Sequence, residues 1–270
     1  MAVRPRLVAA AVVVVTLGAG GYFATRIWLT DHTDPIRTAD AVDDYRASTL
    51  PGASSNLTTI VGDRPSLITP SPGVYRYRTE GSESVDVLGG TTHTYPAETS
   101  LTVVPHGCGV TLRWTPLEQR SEEWGLCATV DGMELQTEGA FFHEFFGTAH
   151  PESMVCDRTV VLVPAAGSMT TEVAQKCDVD GRPWFPVWKV LERSTRTVDG
   201  TSVDVTHVRM TIRDDDREYE HVDLDMWLDP HGLPVEMSAE RRSLTLTAAI
   251  GAVVYTEQYR ATLVSLEPMR

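Results

Sequence analysis

The stretch DLDMWLDPHGLPVEM, residues 223–237, alternates apolar and polar side chains on both sides of a turn signal. Successive side chains of a β-strand point to opposite faces of the sheet, so this alternation predicts two strands with one buried face. Asp229, Pro230 and Gly232 indicate the turn, because proline presets φ and glycine accepts positive φ. The predicted buried face of the first strand carries Val222, Leu224, Met226 and Leu228, and the opposite face carries His221, Asp223, Asp225 and Trp227.

The strand before this hairpin offers cations to its carboxylates. Keeping the apolar residues of both strands on one face requires odd-numbered residues to pair with odd-numbered ones. With a five-residue loop over residues 214–218, Arg209 lies opposite Asp223 and His207 lies opposite Asp225. A metal site on the same polar row is the competing hypothesis, but the sequence favours a solvated, salt-paired face and predicts no metal.

The same pattern of short alternating strands and Gly, Pro and Asp turns continues through residues 74–270. It predicts an all-β fold, mainly an antiparallel sheet or an open half-barrel with one or two short helices. A regular alternation of helices and strands is missing from the sequence, which argues against a parallel doubly wound sheet. One short helix is predicted within residues 30–45.

Residues 7–24 are uncharged and apolar, and as a helix they span about 27 Å, enough to cross a membrane. Arg4 and Arg6 precede this stretch, so the positive-inside rule keeps the N-terminus in the cytoplasm and exports the remainder. Residues 1–30 are therefore predicted to be a cytoplasmic stub and single-pass transmembrane anchor. A cleavable signal peptide is the alternative, because the small residues 19–21 resemble a cleavage site.

Residues 31–73 are predicted to be a juxtamembrane tether, since many glycines and prolines follow residue 48. The tether connects the membrane to one extracytoplasmic β domain, residues 74–270. The chain has a net charge of -14, and residues 1–30 contain three arginines and no acid. The acidic remainder repels phosphate backbones, which argues against nucleic-acid binding.

Export places the four cysteines in an oxidising compartment, where an even count predicts two disulfides. Three connectivities are open. Sequential pairing, Cys108 with Cys127 and Cys156 with Cys177, is favoured because each pair brackets a predicted hairpin. The nearest two cysteines are 19 residues apart, which disfavours a zinc site.

The segment GAFFHEFFG, residues 139–147, contains four of the six phenylalanines. Positions i, i+1, i+4 and i+5 lie together on one side of a helical turn, so the segment predicts a short helix. A plug in the core is the favoured role, and a lid over a ligand held by a concave sheet is the alternative, followed by partner docking. The lid candidates are Phe141, Phe142, Phe145 and Phe146.

The common catalytic motifs are missing from the sequence, including GxSxG, HExxH and SxxK. Glu122 and Glu123 could each pair with another acid for glycoside hydrolysis, but 37 acidic residues make chance matches easy. The sequence therefore favours a non-catalytic protein without a cofactor. A cell-envelope hydrolase that uses dispersed carboxylates is the alternative.

The hairpin resembles a segment of bacterial lipoprotein carriers and related lipid-binding envelope lipoproteins, over about 15 of the 270 residues. The matching residues are Trp227, Leu228, Asp229, Gly232, Leu233 and Pro234. The resemblance implies an antiparallel half-barrel whose concave face, covered by helices, holds acyl chains. The chain departs from that family because it has no cysteine for acylation before Cys108. The expected function is binding of a lipid-like ligand or an envelope partner, and a purely structural module is a further alternative.

Overall fold

The computed structural model describes residues 31–49, 69–165, 172–213, 221–247 and 251–270. The predicted anchor and residues 50–68 of the predicted tether lie outside the described residues. Within the described part, no helix is both long and apolar enough to cross a membrane.

The described residues form one α-helix, α1 (Thr38–Thr49), and sixteen strands. The strands are β1 (Gly73–Val85), β2 (Thr91–Thr94), β3 (Glu98–His106), β4 (Gly109–Leu117), β5 (Arg120–Thr129), β6 (Gly132–Phe145), β7 (Thr148–Cys156), β8 (Val160–Pro164), β9 (Glu172–Ala174), β10 (Cys177–Val179), β11 (Arg182–Trp184), β12 (Val187–Val198), β13 (Thr201–Arg213), β14 (His221–Leu228), β15 (Pro234–Thr247) and β16 (Gly251–Leu263). The predicted short helix is present, but it begins later than residue 30 and ends after residue 45.

All the strands belong to a single antiparallel sheet that curls into a half-barrel, which confirms the predicted all-β class. The strand order is β11-β10-β7-β6-β5-β4-β3-β1-β16-β15-β14-β13-β12-β9, with β2 paired to β1 and β8 paired to β6. Strand β1 divides the sheet into two arms. The first arm contains β3 to β8 with β10 and β11, and the second arm contains β12 to β16 with β9.

The concave interior is filled by apolar side chains from both arms. Trp114 of β4 packs on Tyr259 of β16 with the ring centroids 4.4 Å apart. The turn between β14 and β15 also reaches the first arm, because a Cβ at Gly232 would lie 2.7 Å from Cγ of Met133. Gly232 has φ of +90°, so both its backbone conformation and its packing favour glycine. The hairpin of residues 223–237 thus helps to close the core.

The predicted buried face of this hairpin is confirmed, since alternate residues of β14 are buried from Val222 to Leu228. The turn is also confirmed: Asp229 Oδ1 accepts hydrogen bonds from the backbone N–H groups of His231 and Leu233, each at 2.8 Å.

The predicted register is wrong by two residues, although odd residues do pair with odd ones. Arg209 lies opposite Asp225, and His207 lies opposite Trp227. Strand β13 ends at Arg213 and β14 begins at His221, so the connection is longer than the predicted five-residue loop. The expected ion pairing still forms in the observed register, because Arg209 Nε donates to Asp225 Oδ1 at 2.9 Å.

Both predicted disulfides are present, Cys108–Cys127 and Cys156–Cys177. Cys156 and Cys177 face each other across β7 and β10. The turn between β3 and β4 lies at residues 107 and 108, because His106 still pairs with Gly109.

The predicted helix over the phenylalanine segment is wrong. The segment lies in β6 and in the turn to β7, where Phe142 pairs with Pro151 of β7 and Phe141 pairs with Glu122 of β5. Phe141 and Phe145 are buried, whereas Phe142 and Phe146 are half-buried. A spacing of four residues returns to the same face of a strand as well as of a helix, and hydrogen bonding to two neighbouring strands decided the outcome.

Candidate functional site

Two features of the half-barrel are candidates for function: a network of buried charges at one end of β5 and β6, and an open cleft at the other. The buried charge network consists of Asp31, Glu83, His93, Arg120, Glu122, His143, Arg241 and Glu257. These residues come from both arms, from β1 and β2, and from the segment before α1.

The arginine half of the network is fully enclosed. Arg120 donates from Nε to Glu257 Oε1 at 3.0 Å and from Nη2 to Glu122 Oε2 at 2.7 Å. Arg241 donates from Nη2 to Glu122 Oε1 at 2.6 Å. Burial by itself raises the pKa of Glu257, but the charges of Arg120 and Arg241 outweigh it and lower that pKa to about 2. The two arginines and two glutamates therefore neutralise one another.

The histidine half joins the segment before α1 to the sheet. Glu83 is completely buried, and its carboxylate contacts Nδ1 of both His93 and His143 at 3.0 Å. His93 Nε2 lies 2.7 Å from Asp31 Oδ2, and Asp31 Oδ1 accepts the backbone N–H of Phe146 at 2.9 Å. These contacts hold residue 31 against the turn between β6 and β7.

Two carboxylates favour the protonated form of His93. Burial on its own lowers the pKa of His93, but hydrogen bonds to Glu83 and Asp31 reverse the effect and raise it. Burial raises the pKa of Glu83, and the hydrogen bonds from His143 and His93 lower it below the ordinary value. The arrangement is that of an imidazolium between two carboxylates.

The two candidate acids, Glu122 and Glu123, lie on opposite faces of β5, and both are paired with arginines. Glu122 points into the buried charge network, whereas Glu123 lies on the opposite face of β5 and pairs with the exposed Arg113 at 2.7 Å. Adjacent strand residues face opposite ways, which separates the two carboxylates.

The cleft lies between the arms and has a volume of about 850 Å³. The first arm supplies a mostly apolar wall of Ala128, Thr129, Val130, Gly132, Met133, Val163, Pro164 and Ala165. The second arm supplies a mostly polar wall of Arg193, Ser194, Thr195, Asp204, Val205 and Thr206. Pro230 and His231, from the turn between β14 and β15, also line it. The side chain of Val130 is 88% exposed, which leaves apolar surface open at the cleft.

One hydrogen bond joins the two walls. Arg193 Nη2, on β12, donates to the carbonyl oxygen of Pro164, on β8, at 3.0 Å. The arms therefore approach each other here without pairing strand to strand.

The four phenylalanines lie at the other end of β6. Phe145 stacks on His93 with ring centroids 4.3 Å apart, and Phe141 lies under the guanidinium of Arg241. Met133, which lines the cleft, is 12 residues before Phe145, near the opposite end of β6. The segment packs beside the buried charge network and forms no helical lid over the cleft.

The polar row of the hairpin lies on the outer face of the second arm. Arg209, Asp223 and Asp225 line a second cleft there, with a volume of about 660 Å³. Among the described residues, no group of three or more histidines, cysteines or acids is placed to hold a metal ion.

Comparisons with protein-family models, curated proteins and solved structures found no match for this chain.

Proposed function

We propose that this domain binds an amphiphile in the cleft between the two arms, with the apolar part of the ligand on the first-arm wall, and that it catalyses no reaction. The observation that carries the proposal is the pairing of an apolar wall with a polar wall across one open cleft. Its volume of about 850 Å³ lies in the range typical of small-molecule sites.

Val130 supports the apolar assignment. Val130 is 88% exposed directly after β5, and it lines the cleft together with Ala128 and Ala165, so the three form an apolar patch. An acyl chain on this wall would remove Val130, Ala128 and Ala165 from water. The predicted membrane anchor would hold the domain at the cell membrane, on its extracytoplasmic side.

The residues that line the cleft give less support to the alternative function, a cell-envelope hydrolase. Asp204 is the only carboxylate among the described residues that line it. Glycoside hydrolysis by the common mechanisms needs two carboxyl groups across the scissile bond. The buried carboxylates Glu122 and Glu257 are occupied by Arg120 and Arg241.

The test is photocrosslinking of the full chain in spheroplasts with a fatty-acyl probe that carries a diazirine. We expect crosslinks in peptides that contain residues 128–133 and 163–165. Val130→Glu should reduce labelling of these peptides, because the substitution places a charge on the apolar wall.

Val155→Glu is the matched control. Val155 is also exposed, at 55%, but it lies on β7 outside the cleft, so this variant should keep wild-type labelling. Equal loss of labelling in both variants, or crosslinks elsewhere in the domain, would contradict the proposal. Crosslinks to another protein in place of lipid would indicate a protein-binding surface instead.

A further inference from the structure

The polar wall of the cleft carries two opposite charges at a defined spacing. In the pairing of β12 with β13, Arg193 lies opposite Thr206 and Thr195 lies opposite Asp204. Arg193 and Asp204 are therefore diagonal neighbours on one face of the sheet, with their Cα atoms about 7–8 Å apart. Both side chains line the cleft, and both are exposed.

Neither charge is neutralised by the described part of the protein. Arg193 donates to the neutral carbonyl oxygen of Pro164 and has no carboxylate within 4 Å among the described residues. The carboxylate of Asp204 likewise has no hydrogen-bond or ion-pair partner there. A guanidinium has five N–H donors, so the bond to Pro164 leaves most of them available.

The contrast with the rest of the second arm is clear. On its outer face, Arg209 and Asp225 bind each other directly, with Nε and Oδ1 2.9 Å apart. Arg260 and Glu236 form a similar pair at 2.5 Å. At the cleft the hydrogen bond to Pro164 turns Arg193 toward the opposite wall, and the two charges stay separate.

From this geometry, and resting on the proposed function, we infer that the ligand of the cleft is a zwitterionic amphiphile with a phosphate and a primary amine in its head group. Arg193 would bind the phosphate through paired N–H donors, a geometry that suits guanidinium. Asp204 would accept hydrogen bonds from the ammonium group. The acyl chains would lie on the first-arm wall.

Other head groups match the two charges of this wall less well. A purely anionic head group would pair with Arg193 but would meet the like charge of Asp204. A neutral head group would pair with neither residue. A zwitterion brings one opposite charge to each, which predicts an order of affinity among ligands with identical acyl chains.

The experiment uses the full chain in a nonionic maltoside detergent with three diazirine probes of the same acyl chain: phosphatidylethanolamine, phosphatidylglycerol and diacylglycerol. Labelling of peptides from the cleft should be strongest for phosphatidylethanolamine. Arg193→Gln should lower labelling by both phospholipids by about tenfold, as expected when a charge-assisted hydrogen bond is lost. Asp204→Asn should lower labelling by phosphatidylethanolamine and leave that by phosphatidylglycerol unchanged or higher.

Arg158→Gln is the matched control, because Arg158 is exposed and pairs with Asp157 outside the cleft. Equal labelling by all three probes, unaffected by Arg193→Gln, would overturn the head-group inference and leave amphiphile binding intact. Stronger labelling by phosphatidylglycerol would also overturn it. If none of the probes labels the cleft, the proposed function itself fails.

Discussion

Charged residues are paired at one end of strand β5 and lack ionic partners among the described residues near the other end. Arg120, at the start of the strand, has no exposed surface and binds two carboxylates. Near the other end, Val130 is exposed, and the charges of Arg193 and Asp204 stand without ionic partners among the described residues. A buried charge must be paired, whereas an exposed one is free to bind something else. The paired charges at the first end suit a role in stability, and the unpaired charges at the second end are the basis of the proposed binding site.

The two ends also differ in how they meet the N-terminal part of the chain. Asp31 and Asp34 dock at the end that contains the buried charge network, where Asp34 exchanges hydrogen bonds with Gln119. Strand β5 runs for 10 residues from there toward the cleft, or about 30 Å.

The largest effect is expected from Arg120→Met. The substitution leaves Glu122 and Glu257 buried with one cation fewer, and breaking a buried ion pair costs about 3–5 kcal/mol. Urea unfolding followed by tryptophan fluorescence measures the change. Arg113→Met is the control, since the Arg113–Glu123 pair is exposed and should contribute at most about 1 kcal/mol. Equal losses from the two variants would mean that the buried charge network does not stabilise the fold.

The next largest loss of stability is expected at the end of β5 near the cleft, where a disulfide stabilises the fold instead of ion pairs. Cys108→Ser together with Cys127→Ser opens a loop of 19 residues and should cost about 3 kcal/mol in the chain-entropy model. The same urea titration compares it with Cys156→Ser together with Cys177→Ser, whose separation of 21 residues predicts a similar cost. Unchanged stability without the Cys108–Cys127 bond would show that packing alone holds this end.

A smaller, pH-dependent effect is expected at His93. The raised pKa of His93 means that its stabilising contribution is complete below about pH 6.5, the ordinary value, and is lost as the pH rises through the folded-state pKa. His93→Gln should therefore cost about 1–3 kcal/mol near pH 5.5 and less at alkaline pH. Measurements above pH 5 avoid titration of Glu83. A difference between wild type and variant that stays constant with pH would contradict a charged His93.

The smallest effect is expected from Val130→Glu. The side chain is 88% exposed, and surface substitutions usually change stability by less than about 0.5 kcal/mol. Thermal unfolding should give nearly the wild-type midpoint even though lipid labelling of the cleft falls. A large loss of stability would place Val130 among the structural residues and weaken the contrast between the two ends.

Local patterns in the sequence were enough to predict several features. Alternation over residues 223–237 identified the strands and their buried face, and Asp229 with Gly232 identified the turn, because both signals act within a few residues. The two disulfides followed from the hairpins that separate the cysteines. The buried charge network also left a local signal: Glu257 shares the strand face of Tyr255, Tyr259 and Ala261, where an ionisable residue is unexpected.

Other features required the tertiary structure. A shift of two residues preserves the alternation, so no pattern distinguishes Arg209 opposite Asp223 from Arg209 opposite Asp225. The spacing of the phenylalanines fits a helix and a strand equally well, and only pairing with β5 and β7 selects the strand.

The two candidate sites depend still more on the curl of the sheet. Arg120 and Glu257 are 137 residues apart in sequence and meet because the half-barrel brings β5 over β16. The cleft likewise exists only between the arms. Alternation, turns and hairpins follow from short-range chemistry, so neighbouring residues are enough to predict them. The partners of the buried charges and the walls of the cleft follow from long-range packing, so they arise only in the folded sheet.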